Sequence, residues 1–390
     1  MANRPDYDLI IVGGGIVGAA CAVAAAQAGF RSALLEKRRP VPPGDHWHTQ
    51  VSALTRRSQY FLEGLGVWSL LKRSTAYQTM RVWEKNRCDE IRFQASDLPA
   101  PDLGHIVENA CLVDALWQIL RQSDRVEILF DHQIADLTGT DQGSQLRCTD
   151  QTRLSAHLII GADGARSSIR KFARIGLVRH DYAQQALVTR VRCLTPQQPT
   201  AWQRFLPHGP LALLPLGTHH YAVVWSHTPE QAASLQAQSA TAFIHTLNQA
   251  NQSCCGPLQL VGPRDSFPLC SQTAQHQVQP GVVLIGDAAQ VIHPLAGQGA
   301  NLGLADAQVL IRTLATARSQ REPLGRFAIL RRYERARQGH HHIIQFSMDA
   351  FHHLFTHPHT GIQHLRNIGL GLVGRSRVLR RTFAQIASGL

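Results

Sequence analysis

Apolar residues run along this chain in two rhythms. Leu9 to Val12, Ser32 to Leu35, Leu158 to Ile160 and Val282 to Ile285 are short apolar runs, the pattern of parallel strands buried on both faces. Between them the period becomes helical. Residues 16 to 28 are Ala-rich, Val51 to Trp68 carries Ala53, Leu54, Phe61, Leu62 and Leu65 and stops near Gly66, and Ile106 to Leu120 places Leu112, Leu116 and Leu120 on one face. Val126 to Phe130 predicts a further strand. Thr79 to Phe93 alternates, with Val82, Trp83 and Ile91, and predicts a pair of short strands. Arg38 to His48 is a Pro-rich loop, and Pro99 and Pro101 mark another. Residues 183 to 270 differ. Ala186 to Cys193, Leu211 to Leu216 and Tyr221 to Trp225 are β-type runs separated by Pro, Gly and His-rich turns, and one helix is expected over Ala232 to Leu247. The prediction is an α/β fold with an antiparallel α+β segment inserted between its parts. No internal repeat interrupts it.

The first strand runs into Gly13, Gly15 and Gly18 at G-x-G-x-x-G spacing. Gly13 permits the tight turn, Gly15 lets a pyrophosphate approach the backbone, and Gly18 lets the helix lie close on the sheet. The helix start offers N–H groups and a positive dipole end to phosphates. The second strand delivers Glu36, whose carboxylate suits the two hydroxyls of a ribose and repels a 2′-phosphate.

Two later clusters repeat the logic of a strand end opening onto a ligand. Leu158 to Arg170 contains Gly161, Asp163 and Gly164. Gly281 to Ala289 ends a buried strand at Gly286-Asp287, where a carboxylate suits polyol hydroxyls. A Pro/Gly loop from His293 then leads to a helix with Leu304, Ala307, Ile311 and Leu314 on one face. Its start, near Gly299 to Asn301, aims backbone N–H groups at whatever lies under the loop, which suits an electron-rich ring that gains negative charge. Three such turns describe a long cofactor stretched across the sheet.

Composition narrows the reading. The 390 residues hold more than one domain, and a hydrophobic share of 44% with 17% charged residues is that of a globular chain. The first strand begins by Tyr7, which leaves no room for a cleavable signal, and no apolar run is long enough to span a bilayer. A cytoplasmic protein is expected, with any membrane contact peripheral. Cysteines at 21, 88, 111, 148, 193, 254, 255 and 270 form no C-x-x-C pair, which argues against structural zinc and a disulfide framework. The net charge of +12 gathers late in the chain, at Arg326, Arg331, Arg332, Arg335, Arg337, Arg366, Arg375, Arg377, Arg380 and Arg381. Such a segment fits a solvated basic face, an anionic membrane or an acidic partner. Nucleic acid is disfavoured, since no binding module or aromatic platform accompanies the charge.

The three motifs together resemble single-component flavin monooxygenases of the p-hydroxybenzoate hydroxylase fold. Gly-His-Ile-Val-Glu-Asn at 104–109 with Leu112, and Gly-Asp-Ala-Ala-x-x-x-His-Pro-Leu-Ala-Gly-Gln-Gly-x-Asn-Leu-Gly-Leu-x-Asp-Ala at 286–307, are similar to the ubiquinone-biosynthesis hydroxylases. The resemblance implies a Rossmann-like FAD-binding domain in three pieces (1–72, 98–182 and 271–330), a substrate-binding β-sheet domain (73–97 and 183–270) and a C-terminal helical, basic segment (331–390). It implies that Gly13, Gly15, Gly18 and Glu36 hold the ADP half of FAD and that Asn109 and Asp163 lie along it. Asp287 would meet the ribityl or pyrophosphate region, and Gly299, Ala300 and Asn301 the isoalloxazine. NAD(P)H would reduce FAD, O2 would add at C4a, and the hydroperoxide would hydroxylate a polyprenylated phenol, with His293, Pro294 and Gly297 walling the pocket. Neither a metal nor a protein nucleophile is required.

Two positions depart from the family pattern: Gln50 stands where an arginine is usual and Gln290 where a histidine is usual. They leave open a scaffold that has lost flavin, beside a hydroxylase of a soluble aromatic compound. The histidines 340, 341, 342, 352, 353, 357, 359 and 364 suggest a metal, with His353 and His357 at i, i+4 spacing. No carboxylate or cysteine completes the set and Pro358 interrupts the helix, so a polar face beside a lipid-binding channel is the favoured reading. The basic stretch Leu365 to Leu390 fits membrane attachment or docking to other quinone-biosynthesis enzymes.

Overall fold

The computed structural model describes residues 5–44, 47–84, 90–196, 198–292 and 299–339. Strand Tyr7–Val12 lies between Ser32–Glu36 and Arg153–Gly161, parallel to both, with Leu9 opposite Ser32 on one side and Leu158 on the other. Val126–Phe130 extends the sheet beyond Ser32–Glu36, and Val282–Leu284 extends it beyond Arg153–Gly161, again in parallel. Helices cover one face of this sheet. Ile16–Gln27, with its row of buried alanines, packs between Asn109–Leu120 and Gly299–Ser319. That core joins Leu9, Ile11, Ala20, Leu116, Trp117, Leu304 and Leu314. The antiparallel strands Ile134–Thr140 and Gly143–Cys148 continue the sheet as a meander, and Leu146 and Cys148 join the core on its other face.

A second sheet of nine strands is built around Leu177–Cys193, which pairs antiparallel with His220–His227 and Asp265–Ala274. Thr200–Leu206 and Gly209–Leu216 extend it, and Thr79–Trp83 and Ile91–Gln94 complete that edge. Alternate residues Leu187, Val191, Trp202, Leu213, Tyr221 and Val223 face a cluster shared with Phe243 and Leu247. The architecture is thus α/β, with a Rossmann-like parallel sheet joined to a largely antiparallel one.

Three expected helices are corrected. Val51–Leu54 is a strand, and the helix there is Arg56–Gly64, started by Thr55 whose side chain accepts the Ser58 N–H. Gly104–Glu108 is likewise a strand, followed by helix Asn109–Leu120. Both strands pair with each other in a small sheet with Ser74–Tyr77, and this tertiary pairing overrides an apolar spacing equally compatible with a helix. The single helix expected over Ala232 to Leu247 is two, Pro229–Ala237 and Ala240–Asn251. Gln238 is extended and Ser239 caps the second by accepting the Ala242 N–H.

A helix over 327–339 follows. Within it Arg337 is buried against Asp306 at 2.6 Å, while Arg331 and Arg332, partly exposed, pair with Glu334 and Glu322. The C-terminal histidines and the stretch Leu365 to Leu390 lie outside the described residues.

Candidate functional site

Glycines 13 to 18 build the first wall of a cleft at the carboxyl end of the parallel sheet. Gly13 has φ +104°, and a Cβ there would strike the Ala162 carbonyl oxygen and come within 2.8 Å of the Asp163 Cα. The turn after Tyr7–Val12 is therefore packed directly on the turn after Arg153–Gly161. A Cβ on Gly18 would collide with the Gly13 carbonyl oxygen and lie 3.0 Å from the Ala162 Cβ. Gly15 is the exception. Apart from its own chain neighbours, no described residue lies within 4 Å of the place its Cβ would take, and among the described residues no side chain caps the helix that begins at Ile16. Among the described residues, Gln50 and Gln290 included, nothing fills that space.

Glu36 closes the adjacent end. Its Oε2 accepts the Gly14 N–H at 2.5 Å and its Oε1 the Arg38 N–H at 3.2 Å. A carboxylate with one N–H on each oxygen retains lone pairs for hydroxyl donors. Gly14 and Trp117 belong to this corner too, since the indole Nε1–H donates to the Gly14 carbonyl at 2.8 Å and a Cβ on Gly14 would lie 2.5 Å from the ring. The middle glycine of Gly-Gly-Gly was the available signal; the tryptophan, distant in sequence, gave none.

Asp163 is placed against Gly13, but its carboxylate is occupied locally. It accepts from the Ser167 hydroxyl at 2.5 Å, the Ser168 N–H at 2.6 Å, the Ser168 hydroxyl at 2.7 Å and the Ile169 N–H at 3.3 Å. It thereby holds the start of the short helix Ser168–Phe172. Asn109 begins its own helix and ties it to the neighbouring strand, with Oδ1 accepting the Ser52 hydroxyl at 2.7 Å and its N–H donating to the Gln50 carbonyl at 3.1 Å.

The second wall converges on Val17. Cβ atoms built on Gly286 and Gly303 would both press on the Val17 side chain, and the one on Gly303 would lie 3.2 Å from the Gly286 Cα. The turn Gly286–Ala288 and the helix Gly299–Ser319 are thereby brought beside the first helix. Asp287 sits in this turn, with its Oδ1 4.0 Å from the position of a Cβ on Gly299. Its carboxylate keeps an exposed edge yet is surrounded by protein, and that loss of water pushes its pKa above the ordinary value. Asn301 is buried and pins the helix start to the small sheet, with Oδ1 accepting the Thr55 N–H at 2.9 Å and Nδ2 donating to the Ala53 carbonyl at 2.8 Å. Beneath, Asp306 accepts the Gly286 N–H at 3.0 Å and pairs with Arg337. Sequence reading gave this last pair no role, because its members are 31 residues apart.

Two groups of expected residues are thus juxtaposed: Gly13, Gly15, Gly18, Glu36 and Asp163 at one end, Asp287, Gly299, Ala300 and Asn301 at the other. Asn109 and Asp163 enter through their own turns and strands. His293, Pro294 and Gly297 lie outside the described residues. The open space over Gly15, the uncapped helix start, the spare lone pairs of Glu36 and the exposed edge of Asp287 fit an extended dinucleotide.

Residues 6–344 match a family model described as the FAD binding domain. The 3-demethoxyubiquinol 3-hydroxylase of Escherichia coli (strain K12) is 36% identical over 402 residues, covering 100% of both chains. The mitochondrial ubiquinone biosynthesis monooxygenase COQ6 of Drosophila melanogaster is 32% identical over 436 residues, covering 99% of this chain and 91% of the relative. Among solved structures, the p-nitrophenol 4-monooxygenase PnpA from Pseudomonas putida DLL-E4 superposes with a TM-score of 0.77 at 17% identity, covering 97% of this chain and 96% of that one. At that identity the likeness is one of fold.

Proposed function

The chain belongs to the FAD binding domain family and, within it, to the ubiquinone-biosynthesis hydroxylases, and from that premise we propose how its residues share the work. It is an FAD-dependent aromatic monooxygenase acting on a polyprenylated phenol, with NAD(P)H as electron donor and O2 as co-substrate. When bound, FAD supplies the redox chemistry that inserts one oxygen atom into an electron-rich ring. Everything else falls to the protein: binding, orientation and exclusion of water.

Gly15 leaves room for the pyrophosphate, and the start of helix Ile16–Gln27 offers it N–H groups and the positive end of the dipole. Glu36 takes ribose hydroxyls on its remaining lone pairs, and Asp287 takes hydroxyls of the ribityl chain. Gly299 and Ala300 direct N–H groups of a second helix start at the ring system, where negative charge is stabilised. Asn301 fixes that helix start, and Asn109 and Asp163 act by holding the turns beside the cofactor. The wall of the reaction pocket is assigned to His293, Pro294 and Gly297 on the family resemblance alone.

In this proposal 1–72, 98–182 and 271–330 hold the cofactor, while 73–97 and 183–270 hold substrate. An apolar cluster of Ala53, Ile106, Ala201, Leu214, Leu216 and Ala222 joins the small sheet to the nine-stranded one. It reaches the cofactor strip through Ala53, whose carbonyl Asn301 binds, and so supports an aromatic ring site there. A polyprenyl substrate resides in a membrane, so peripheral contact with that surface is part of the proposal. Among the described residues no helix is long and apolar enough to cross a membrane.

The observation that carries the reading is the empty space over Gly15 at an uncapped helix start, opposite an acid at the end of the second strand. Deletion of the gene, followed by mass analysis of the accumulated quinone precursor, tests it. The expected precursor lacks one ring oxygen and disappears when the wild-type gene is restored. An unchanged quinone pool contradicts the assignment.

A further inference from the structure

Three side chains that the hydroxylation does not use meet at one end of the antiparallel meander. His132 follows strand Val126–Phe130, Cys148 ends strand Gly143–Cys148, and Asp150 lies in the turn after it. One donor atom from each lies within 4.8 Å of the other two, and His132 Nδ1 is 2.8 Å from Asp150 Oδ2. Backbone hydrogen bonds fix all three segments. Thr149 N–H donates to the Gln133 carbonyl at 2.8 Å, Cys148 N–H to the Thr152 carbonyl at 2.9 Å, and Asp131 N–H to the Glu36 carbonyl at 3.2 Å. Asp150 itself is held by the Thr152 N–H, which donates to its Oδ1 at 3.0 Å.

We propose that His132, Cys148 and Asp150 form a site for one divalent transition-metal ion of the zinc type, with water as the fourth ligand. Imidazole, thiolate and carboxylate together select a borderline-soft cation over magnesium or calcium, which prefer oxygen alone. Zinc bonds of about 2.0–2.3 Å in a tetrahedron space the donors roughly 3.3–3.6 Å apart. With all three donors already within 4.8 Å of one another, no pair has to close by more than about 1.5 Å, and the imidazole–carboxylate pair, 2.8 Å apart, opens slightly as the ion takes the place of its shared proton. His132 coordinates through Nδ1 with its proton on Nε2. Cys148 coordinates as the thiolate, and its proton passes to solvent.

The surroundings suit such an ion. Cys148 is buried with Leu146, and Ile134 and Leu137 pack beside them, which keeps solvent from the sulfur. His132 is half-buried and Asp150 exposed, which leaves one side open for entry and for the water ligand. The ion would staple two turns of the meander. The competing account is an imidazole–carboxylate hydrogen bond beside an inert thiol, and that account predicts no metal.

The test uses the full-length holoenzyme, dialysed against a chelator, reloaded with zinc chloride and passed through gel filtration. Metal analysis is expected to give one zinc per chain above that of His132→Ala and Asp150→Asn, with flavin content as the folding control for both variants. X-ray absorption is expected to show one sulfur neighbour at about 2.3 Å, lost in Cys148→Ser. Absence of retained zinc overturns the proposal. So does zinc retained equally by wild type and both variants, the result expected if the histidines between 340 and 364 bind it instead.

Discussion

Gly18 stands directly on Gly13: a Cβ added to Gly18 would overlap the Gly13 carbonyl oxygen, whereas one added to Gly15, three residues earlier, would meet no described residue within 4 Å beyond its own chain neighbours. The two glycines therefore fail in different ways. Gly18→Ala must part the first helix from the sheet, at a cost of about 1–3 kcal/mol, and is expected to lower the melting temperature of flavin-free protein. Gly15 has φ −69° and ψ −173°, a region any residue adopts. Gly15→Ala is expected to leave that melting temperature nearly unchanged while reducing the flavin-to-protein ratio. Equal effects of both substitutions on the flavin-free protein would contradict the distinction.

Asn301 bridges strand Val51–Leu54 and the helix that faces the cofactor ring. Asn301→Ala removes two buried hydrogen bonds to backbone, and a buried partner left unsatisfied costs about 1–3 kcal/mol. Loss of both melting temperature and flavin retention is expected, in calorimetry and in absorbance after gel filtration. A variant as stable as wild type that keeps its flavin would remove Asn301 from the account.

Asp306 and Arg337 are each about 2% exposed, and Asp306 also holds the Gly286 N–H. Removal of one member strands the other charge in the interior. Asp306→Ala is expected to destabilise by about 3–5 kcal/mol in chemical denaturation, and replacement of both by apolar residues of similar volume by much less. Equal losses for the single and double variants would show that the pair itself stabilises the fold.

Much of this structure is legible in the sequence where one physical cause acts alone. Continuous apolar runs give the parallel strands because burial on both faces leaves no polar positions, and the glycine spacing gives the turns because close backbone approach admits nothing else. The strands Val51–Leu54 and Gly104–Glu108 were hidden because each runs without a break into a true helix. The only local marks of the boundaries are Thr55 as a cap and the extended backbone at Glu108 before Asn109. The Asp306–Arg337 pair, the Trp117 contact to Gly14 and the self-capped carboxylate of Asp163 depend on partners that only the folded chain supplies. Asp163 is the instructive case, since an acid at a strand end looks like a ligand and here serves its own turn.

Burial lowers the pKa of His227, with the nearby His208 acting in the same direction and the Gln231 side chain opposing them. His105 and His220 are lowered as well, burial again being the largest cause. At these three positions the folded chain prefers neutral imidazoles, and their contribution is fully present above the unfolded value of about 6.5. It is lost as pH falls through the lower, folded values, because the unfolded chain then binds more protons. Denaturation midpoints are expected to drop between pH 7.5 and pH 5.5, about the span in which histidine titrates, and His227→Phe is expected to flatten that drop. A midpoint that rises over the same interval would contradict the assignment.

The central claim is that the cleft above Gly15 carries FAD, and the visible absorbance spectrum of the purified wild-type protein tests it most directly, as isolated and again after incubation with FAD and gel filtration. The account predicts the two bands of oxidised flavin at one per chain. Colourless protein that takes up no added FAD would contradict it.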